Sequence, residues 1–455
     1  MIKTVYLGYV RKRVRTLNII KNNNIINPKI FKTMKKHFFI LCMLALSTSF
    51  VLADITRFCS PNGAGIHNGL DFDNAFSMSE LIQDIDDMNL QNVKLIIKLS
   101  KGNYYDNLVL NYTTVPNFIN NSNSVSVEIY GGFNPGLSED LNDRNLISCK
   151  TTFHANNSNS PISLDLASIT TGNICIVDGI RIDSKDPYGN IIPVNKSAMI
   201  LVGGYYLVSQ CVINEFFTSN TLLFVEGDDD TFNIINTVIS KCKASNLVKA
   251  YGQLNFLNST IVCLSLTDDL IGLSSDDFHY NMFNSIIYDM DNWNNTTPVY
   301  YEIYNSIIGT YNNVSWMADY GNNFWNTNPL FTDDSQAPFS CLTASDASYN
   351  GDSMFIISLD NITNGEATDI LFYDVVNHER FGNMADTSHL DIGAYQHYSN
   401  NTYYFQPQYQ QAPRRFEEHD ETGSIVNNVI YNLFGQPVDE SYHGIVIKNG
   451  QKVLQ

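Results

Sequence analysis

Through the middle of the chain, short apolar runs alternate with polar punctuation at a spacing that suits strands and not helices. The unit is a few alternating apolar residues, an Asn, a small hydroxyl residue and then β-branched residues. It occurs as Phe232-Asn233-Ile234-Ile235-Asn236-Thr237-Val238-Ile239 and as Leu254-Asn255-Phe256-Leu257-Asn258-Ser259-Thr260-Ile261. Two more copies are Tyr280-Asn281-Met282-Phe283-Asn284-Ser285-Ile286-Ile287 and Tyr301-Glu302-Ile303-Tyr304-Asn305-Ser306-Ile307-Ile308. Two earlier, less regular copies carry Asp178 and Gln210 where the Asn stands, so successive anchors lie 32, 26, 22, 26 and 21 residues apart. Each period holds a second apolar run, at Ala198–Val202, Leu222–Val225, Leu247–Ala250 and Leu270–Leu273.

Two or three short strands per period, with no helical stretch between them, predict a parallel β-solenoid. Each turn then stacks on the last at about 4.8 Å and like residues fall above like. The repeat makes Asn236, Asn258, Asn284 and Asn305 a structural ladder: Asn tolerates a left-handed bend, and its amide can bond the next Asn up the stack. A sandwich of antiparallel hairpins would call for Asn-Gly or Asp-Gly between adjacent strands, and the four clear copies have neither. The 56 asparagines, well above ordinary usage, fit a chain with many tight bends.

The front of the chain reads as an address. From Met34 the order is Lys35-Lys36-His37, an apolar stretch Phe38–Leu46, then small residues ending Val51-Leu52-Ala53 before Asp54, the layout of a secretory signal peptide over 34–53. Residues 1–33 are then a mis-chosen start or an extension. The apolar run is shorter than the roughly 20 residues that span a bilayer. Residues 1–53 hold ten basic residues and no acid, which leaves 17 basic against 46 acidic residues, a formal charge of −29, for the rest of a chain whose total is −19. Such a surface repels phosphate backbones and anionic headgroups, so nucleic acid is not an expected partner, and no segment of the mature chain has spanning length. Seven cysteines after Ala53 are widely scattered and odd in number, a poor disulfide framework, and none has metal-ligand spacing.

Five blocks in order resemble exported right-handed β-helix proteins of the pectate-lyase fold from Gram-negative bacteria, over about residues 59–396. Asn62-Gly63 through Asn68-Gly69 to Asn74-Ala75-Phe76 is similar to their glycine-rich opening, which leads into a cap helix read here as Met78–Met88. Leu95-Ile96-Ile97 with Lys101-Gly102-Asn103-Tyr104-Tyr105 resembles their first strand, and Ile129-Tyr130-Gly131-Gly132-Phe133-Asn134 with Asp143-Arg144-Asn145 resembles a "Y-G-G-F-N…R-N" block. Gly321-Asn322 with Asn328-Pro329-Leu330-Phe331, and Arg380 with Asp391-Ile392-Gly393-Ala394-Tyr395, are similar to the end of the coil. The resemblance implies an all-β fold, a right-handed parallel β-helix over 54–396 with a short N-terminal cap helix. Residues 397–424 read as a Gln- and Pro-rich linker, and 425–455, with Tyr431-Asn432-Leu433-Phe434-Gly435-Gln436 and Ile445-Val446-Ile447-Lys448-Asn449-Gly450, resemble type IX sorting tails. Alternation alone gives that small C-terminal β tail two or three strands.

The fold hosts lyases, hydrolases and adhesins alike, so function has to come from residues. The calcium-holding acids beside an Arg or Lys base that the lyases use, and the three close Asp of the polygalacturonases, are not readable here. The one acidic candidate is a pair of doublets in the same phase of the coil, Asp228 and Asp229 with Asp276 and Asp277, about 10 Å apart across two strand spacings. That spacing exceeds calcium-bridging reach and lies near the upper separation of an inverting carboxylate pair, which leaves them weak catalytic candidates or holders of a calcium ion, with a solvated bend as the competing reading. Tyr251, Trp293, Tyr301 and Trp316 are candidates for stacking on sugar rings, with core packing as the competing reading. Arg380 and Asp391 read as a salt bridge closing the last rung, Arg144 as the partner of an acid near the first turns, and His378, His389 and His397 do not converge on a metal. The expectation is therefore an exported surface or secreted interaction protein without catalysis, an adhesin or glycan binder, with no required cofactor. A diverged polysaccharide lyase or glycoside hydrolase is the alternative.

Overall fold

The chain divides into two units, Met1–Ala53 and Asp54–Gln455. The computed structural model describes residues 54–345 apart from 138, 171–172, 228–230, 274–278, 292–299, 310–316, 320–322, 332–338, 340 and 342–344. It also describes 392–394 and four strands within 430–454.

Within the second unit, the described residues from Ile55 to Trp325 form a parallel β-helix. Three sheets recur in the same order along the chain, and within each of them every strand pair is parallel. The first sheet has ten strands, from Ile55–Cys59 and Lys94–Ser100 at one end to Met317–Asp319 at the other. The second runs from Gly102–Tyr104 to Phe324–Trp325, and the third has six strands, from Leu108–Leu110 to Ile271–Leu273. The repeat read from sequence falls in register. Phe232 pairs Leu254 and then Tyr280 and Tyr301, and Val238 pairs Thr260 and then Ile286 and Ile307.

Period-two alternation explains the core. Phe232, Leu254, Tyr280, Ile234, Phe256 and Met282 point into the coil from the first sheet, with Ile213, Ile239, Ile261 and Ile287 from the second and Met199, Leu223, Val248 and Ile271 from the third. All are buried in one continuous cluster. At the N-terminal end a helix, Met78–Asp86, two residues shorter than the predicted Met78–Met88, lays Met78, Leu81 and Ile85 on the open end of this core. Its start is fixed by Glu80, whose carboxylate accepts from the Ser77 N–H at 2.8 Å and the Ser77 hydroxyl at 2.7 Å.

Two details differ from the sequence reading. The bend position in the rung before Gln210 is Gly179, with φ of 70°, and not Asp178, because Asp178 pairs Ser209 and so lies one residue earlier. Asp178 instead faces Arg144, which also donates to the carbonyls of Leu141 (3.1 Å) and Gly131 (3.3 Å), and it accepts from the Ser209 hydroxyl. The C-terminal tail has four strands rather than two or three: Ile430–Asn432, Pro437–Val438, Ile445–Lys448 and Gln451–Leu454, in one antiparallel sheet.

The Ile392-Gly393-Ala394 segment, read as the close of the coil, crosses the outside of the second sheet. The Gly393 N–H donates to the Asn284 carbonyl (2.7 Å) and the Ala394 N–H to the Thr260 hydroxyl (3.0 Å). Ile392 packs with Ile286 and Ile307, and Ala394 with Val212 and Val238. A side chain at 393 would meet Ile286 at 2.8 Å, and φ is 104°, which is why glycine stands there. Among the described residues no helix is long and apolar enough to cross a membrane.

Candidate functional site

The acids Asp228, Asp229, Asp276 and Asp277, and Trp293 and Trp316, lie outside the described residues, as do Arg380, Asp391, His378, His389 and His397. Tyr251 is half-buried on the bend after the strand Val248–Ala250, its N–H donating to the Val225 carbonyl at 3.1 Å. Tyr301 lies in the strand Tyr300–Tyr304, paired with Tyr280 on one side and Met317 on the other. The structure therefore brings none of the four stacking candidates into a shared site among its described side chains.

The asparagines are placed definitely. Asn236, Asn258, Asn284 and Asn305 are buried at φ of 45° to 49°, and the Asn305 amide donates to the Asn284 side-chain oxygen at 2.8 Å. Directly after each bend, a hydroxyl takes the next step of the stack. Thr237, Ser259, Ser285 and Ser306 each donate to the carbonyl two residues back, at 2.8 to 2.9 Å, and Ser285 and Ser306 accept the N–H of the preceding rung's hydroxyl residue at 3.1 Å. Cys211 holds the same place one rung earlier, its thiol on the Ser209 carbonyl at 3.2 Å. A further amide ladder runs along the first sheet from Asn281 to Asn255 to Asn233, each step 2.8 Å. These rows satisfy buried polar groups and are structural.

The constellation with chemistry of its own is a column on the outer face of the second sheet. Phe153 and Ile182 point inward, so their neighbours His154 and Asp183, paired in register, point outward. His154 Nδ1 and Asp183 Oδ1 are 2.6 Å apart, and Asp183 also accepts the Lys185 N–H at 3.0 Å. On the other side the His154 ring is covered by Tyr105, with ring centroids 4.7 Å apart and an interplanar angle of 18°. Tyr105 follows Gly102–Tyr104, the edge strand of this sheet, so the column ends with this residue, which is 41% exposed. The Tyr105 carbonyl is held by the Asn156 amide (3.0 Å), and Asn107 donates to Asn156 (3.2 Å) and to the Asn159 carbonyl (3.1 Å). Above Asp183 the column continues into Asn214, whose amide oxygen accepts from Ser240 at 2.9 Å.

One atom of this column is unsatisfied. His154 Nε2 is buried with no hydrogen-bond partner among the described residues, although the side chain is only 9% exposed. Leaving such an atom unpaired costs about 1–3 kcal/mol. The charges on the column are mixed. Asp106 is exposed next to Tyr105, Lys185 pairs with Glu215, and further along the same face burial and the nearby Arg181 push the Lys150 ammonium below its ordinary range.

Sequence reasoning missed His154 and Asp183 because 29 residues separate them and no repeat copy covers the first turns. The available signal was phase: Tyr105, His154 and Asp183 each close a second-sheet strand by one residue or end it. Among the described residues no group of three or more His, Cys, Asp or Glu could hold a metal ion. A cavity of about 10 Å³ inside the coil, lined by Met199, Leu201, Ile213, Val225 and Ile234 among others, is apolar and water-sized, too small for a ligand. No protein-family model, no curated protein and no solved structure matches this chain.

Proposed function

We propose that the protein is an exported β-helix interaction protein that binds glycans without turning them over, a surface or secreted adhesin akin to the pectate-lyase-fold proteins it resembles. The observation that carries this reading is the Tyr105–His154–Asp183–Asn214 column, where an exposed aromatic face adjoins carboxylate, imidazole and amide groups. Sugars present just this pairing, an apolar ring face and a rim of hydroxyls. A long, laterally exposed parallel coil also suits a polymer, since its side chains recur at the strand spacing of about 4.8 Å. Export rests on the signal-like segment 34–53, and the type IX-like tail 425–455 supports a surface or extracellular destination.

The test is a glycan array probed with the full chain, run beside turnover assays on neutral and acidic polysaccharides, with N-terminal sequencing of the protein recovered from the producing cell. Binding without product release, and an N-terminus at Asp54, are expected. Release of sugar fragments would favour the alternative, a diverged lyase or hydrolase, for which the His154–Asp183 pair is the group to mutate first.

A further inference from the structure

We propose that Tyr105, backed by His154 and Asp183, is the platform on which one pyranose ring of a neutral polysaccharide stacks, an inference that rests on the glycan-binding reading and locates it. Three observations carry it. First, the ring is free on one side for a topological reason: Gly102–Tyr104 is the edge strand of the second sheet, so no further strand covers the column beyond Tyr105. Among the described residues, the other exposed tyrosines, such as Tyr188 at 90% exposure, have no ring stacked behind them.

Second, the platform is rigid before any ligand arrives. His154 supports the ring at 4.7 Å, Asp183 fixes the imidazole at 2.6 Å, and Asn156 holds the Tyr105 carbonyl at 3.0 Å. Binding then loses little side-chain freedom, the main cost of stacking on a mobile tyrosine. Third, His154 Nε2 is a buried polar atom without a partner, nine-tenths withdrawn from solvent, within the same column. Water or a ligand group completes such an atom, and a sugar hydroxyl that reaches past the edge of the Tyr105 ring has the needed donor.

Charge selects the class of sugar. Asp106 is exposed beside Tyr105 and Asp183 lies behind His154, in a chain with 46 acidic and 27 basic residues. A carboxylate-bearing uronate ring seated on Tyr105 would face like charge on the same side as Asp106, while an uncharged hexose or pentose would offer hydroxyls to it. A purely apolar ligand would cover these acids without pairing them.

The experiment is titration calorimetry of the full chain with cellohexaose, mannohexaose and xylohexaose, and with hexagalacturonate as the charged counterpart. At least one neutral oligosaccharide should bind, Tyr105→Ala should weaken it about tenfold or more, and Tyr105→Phe should leave it within about twofold. His154→Ala should weaken it similarly, with His154→Phe, which keeps a flat ring under Tyr105 but has no Nε2, recovering only part of the loss. Asp106→Asn should improve hexagalacturonate binding and narrow the gap between it and the neutral ligand. Neutral binding that ignores Tyr105→Ala would overturn the platform while leaving the glycan reading in place. Binding of hexagalacturonate alone would overturn the charge argument, and a full array with no bound glycan would overturn both the platform and the reading it rests on.

Discussion

In four successive rungs of the coil the backbone turns left-handed twice, five residues apart. Gln210, Asn236, Asn258 and Asn284 make the first bend at φ of 45° to 50°, and Glu215, Lys241, Cys263 and Asp289 make the second at 52° to 55°. The conformations are nearly the same and each disfavours an ordinary side chain by about 1–2 kcal/mol. Their residues have nothing in common. The first bend is buried, so whatever stands there must satisfy its polar atoms within the protein, and an amide can both donate to and accept from its copy in the next rung, as Asn305 donates to Asn284. The second bend is half-buried or exposed, so acid, ammonium and thiol are all accepted there, solvated by water or paired with a neighbour as Glu215 is with Lys185 and Cys263 with Asp289. A shared backbone geometry leaves a sequence signature only where burial restricts the chemistry.

The sharpest way to break this contrast is Asn258→Asp. A carboxylate at a position 1% exposed, stacked between Asn236 and Asn284, would be a buried charge with no partner, and a loss of about 3–5 kcal/mol in denaturant stability is expected. An unchanged midpoint would mean that the first bend is solvated like the second.

Ser285→Ala comes next. It leaves the Ser259 N–H without the oxygen it now meets at 3.1 Å and removes the hydroxyl bond to the Phe283 carbonyl, so about 1–2 kcal/mol should be lost. Urea titration of this variant beside Ser306→Ala would show whether every step of the hydroxyl row carries the same cost.

At the exposed bend the sign should reverse. Lys241→Asn puts the residue that best tolerates φ of 52° where a lysine now stands, and stability should hold level or rise by up to about 1 kcal/mol. A clear loss in thermal melting would place Lys241 in a role beyond the bend.

The smallest effect separates Cys263, which stands at a second bend itself, from Cys211 and Cys242, which are buried beside the bends. Burial pushes the Cys211 and Cys242 thiols up to about 12, while Cys263, half-exposed at the second bend, is pushed up to about 11 by burial and by its bond to Asp289 at 3.3 Å. A raised value means less thiolate at a given pH, so removing the negative neighbour lowers it: Asp289→Asn should speed alkylation of Cys263 at pH 8 several-fold. Cys211 and Cys242 should stay protected until the coil unfolds. Mass mapping of alkylated peptides reads both results, and equal labelling of all three would refute the burial difference.

The coil, its apolar columns and the Asn bend could be read from the chain because neighbouring rungs impose the same burial on the same phase, so one constraint is written several times over. Where the copies degenerate the reading slipped by a residue, taking Asp178 for the bend that Gly179 makes: an acid resembles a worn Asn, and glycine meets the left-handed requirement without any side chain. The second bend, though spaced at a constant five residues, was invisible, since a half-buried or exposed corner accepts Glu215, Lys241, Cys263 and Asp289 alike. The Tyr105–His154–Asp183 column was invisible for a different reason. It is made once, from residues 49 and 29 positions apart that meet only because two rungs of unequal length close in register, and no local pattern encodes how many residues a rung spends on its loops. Periodic burial is a local property repeated along the chain, whereas a single cross-rung contact is set by the path of the backbone in space.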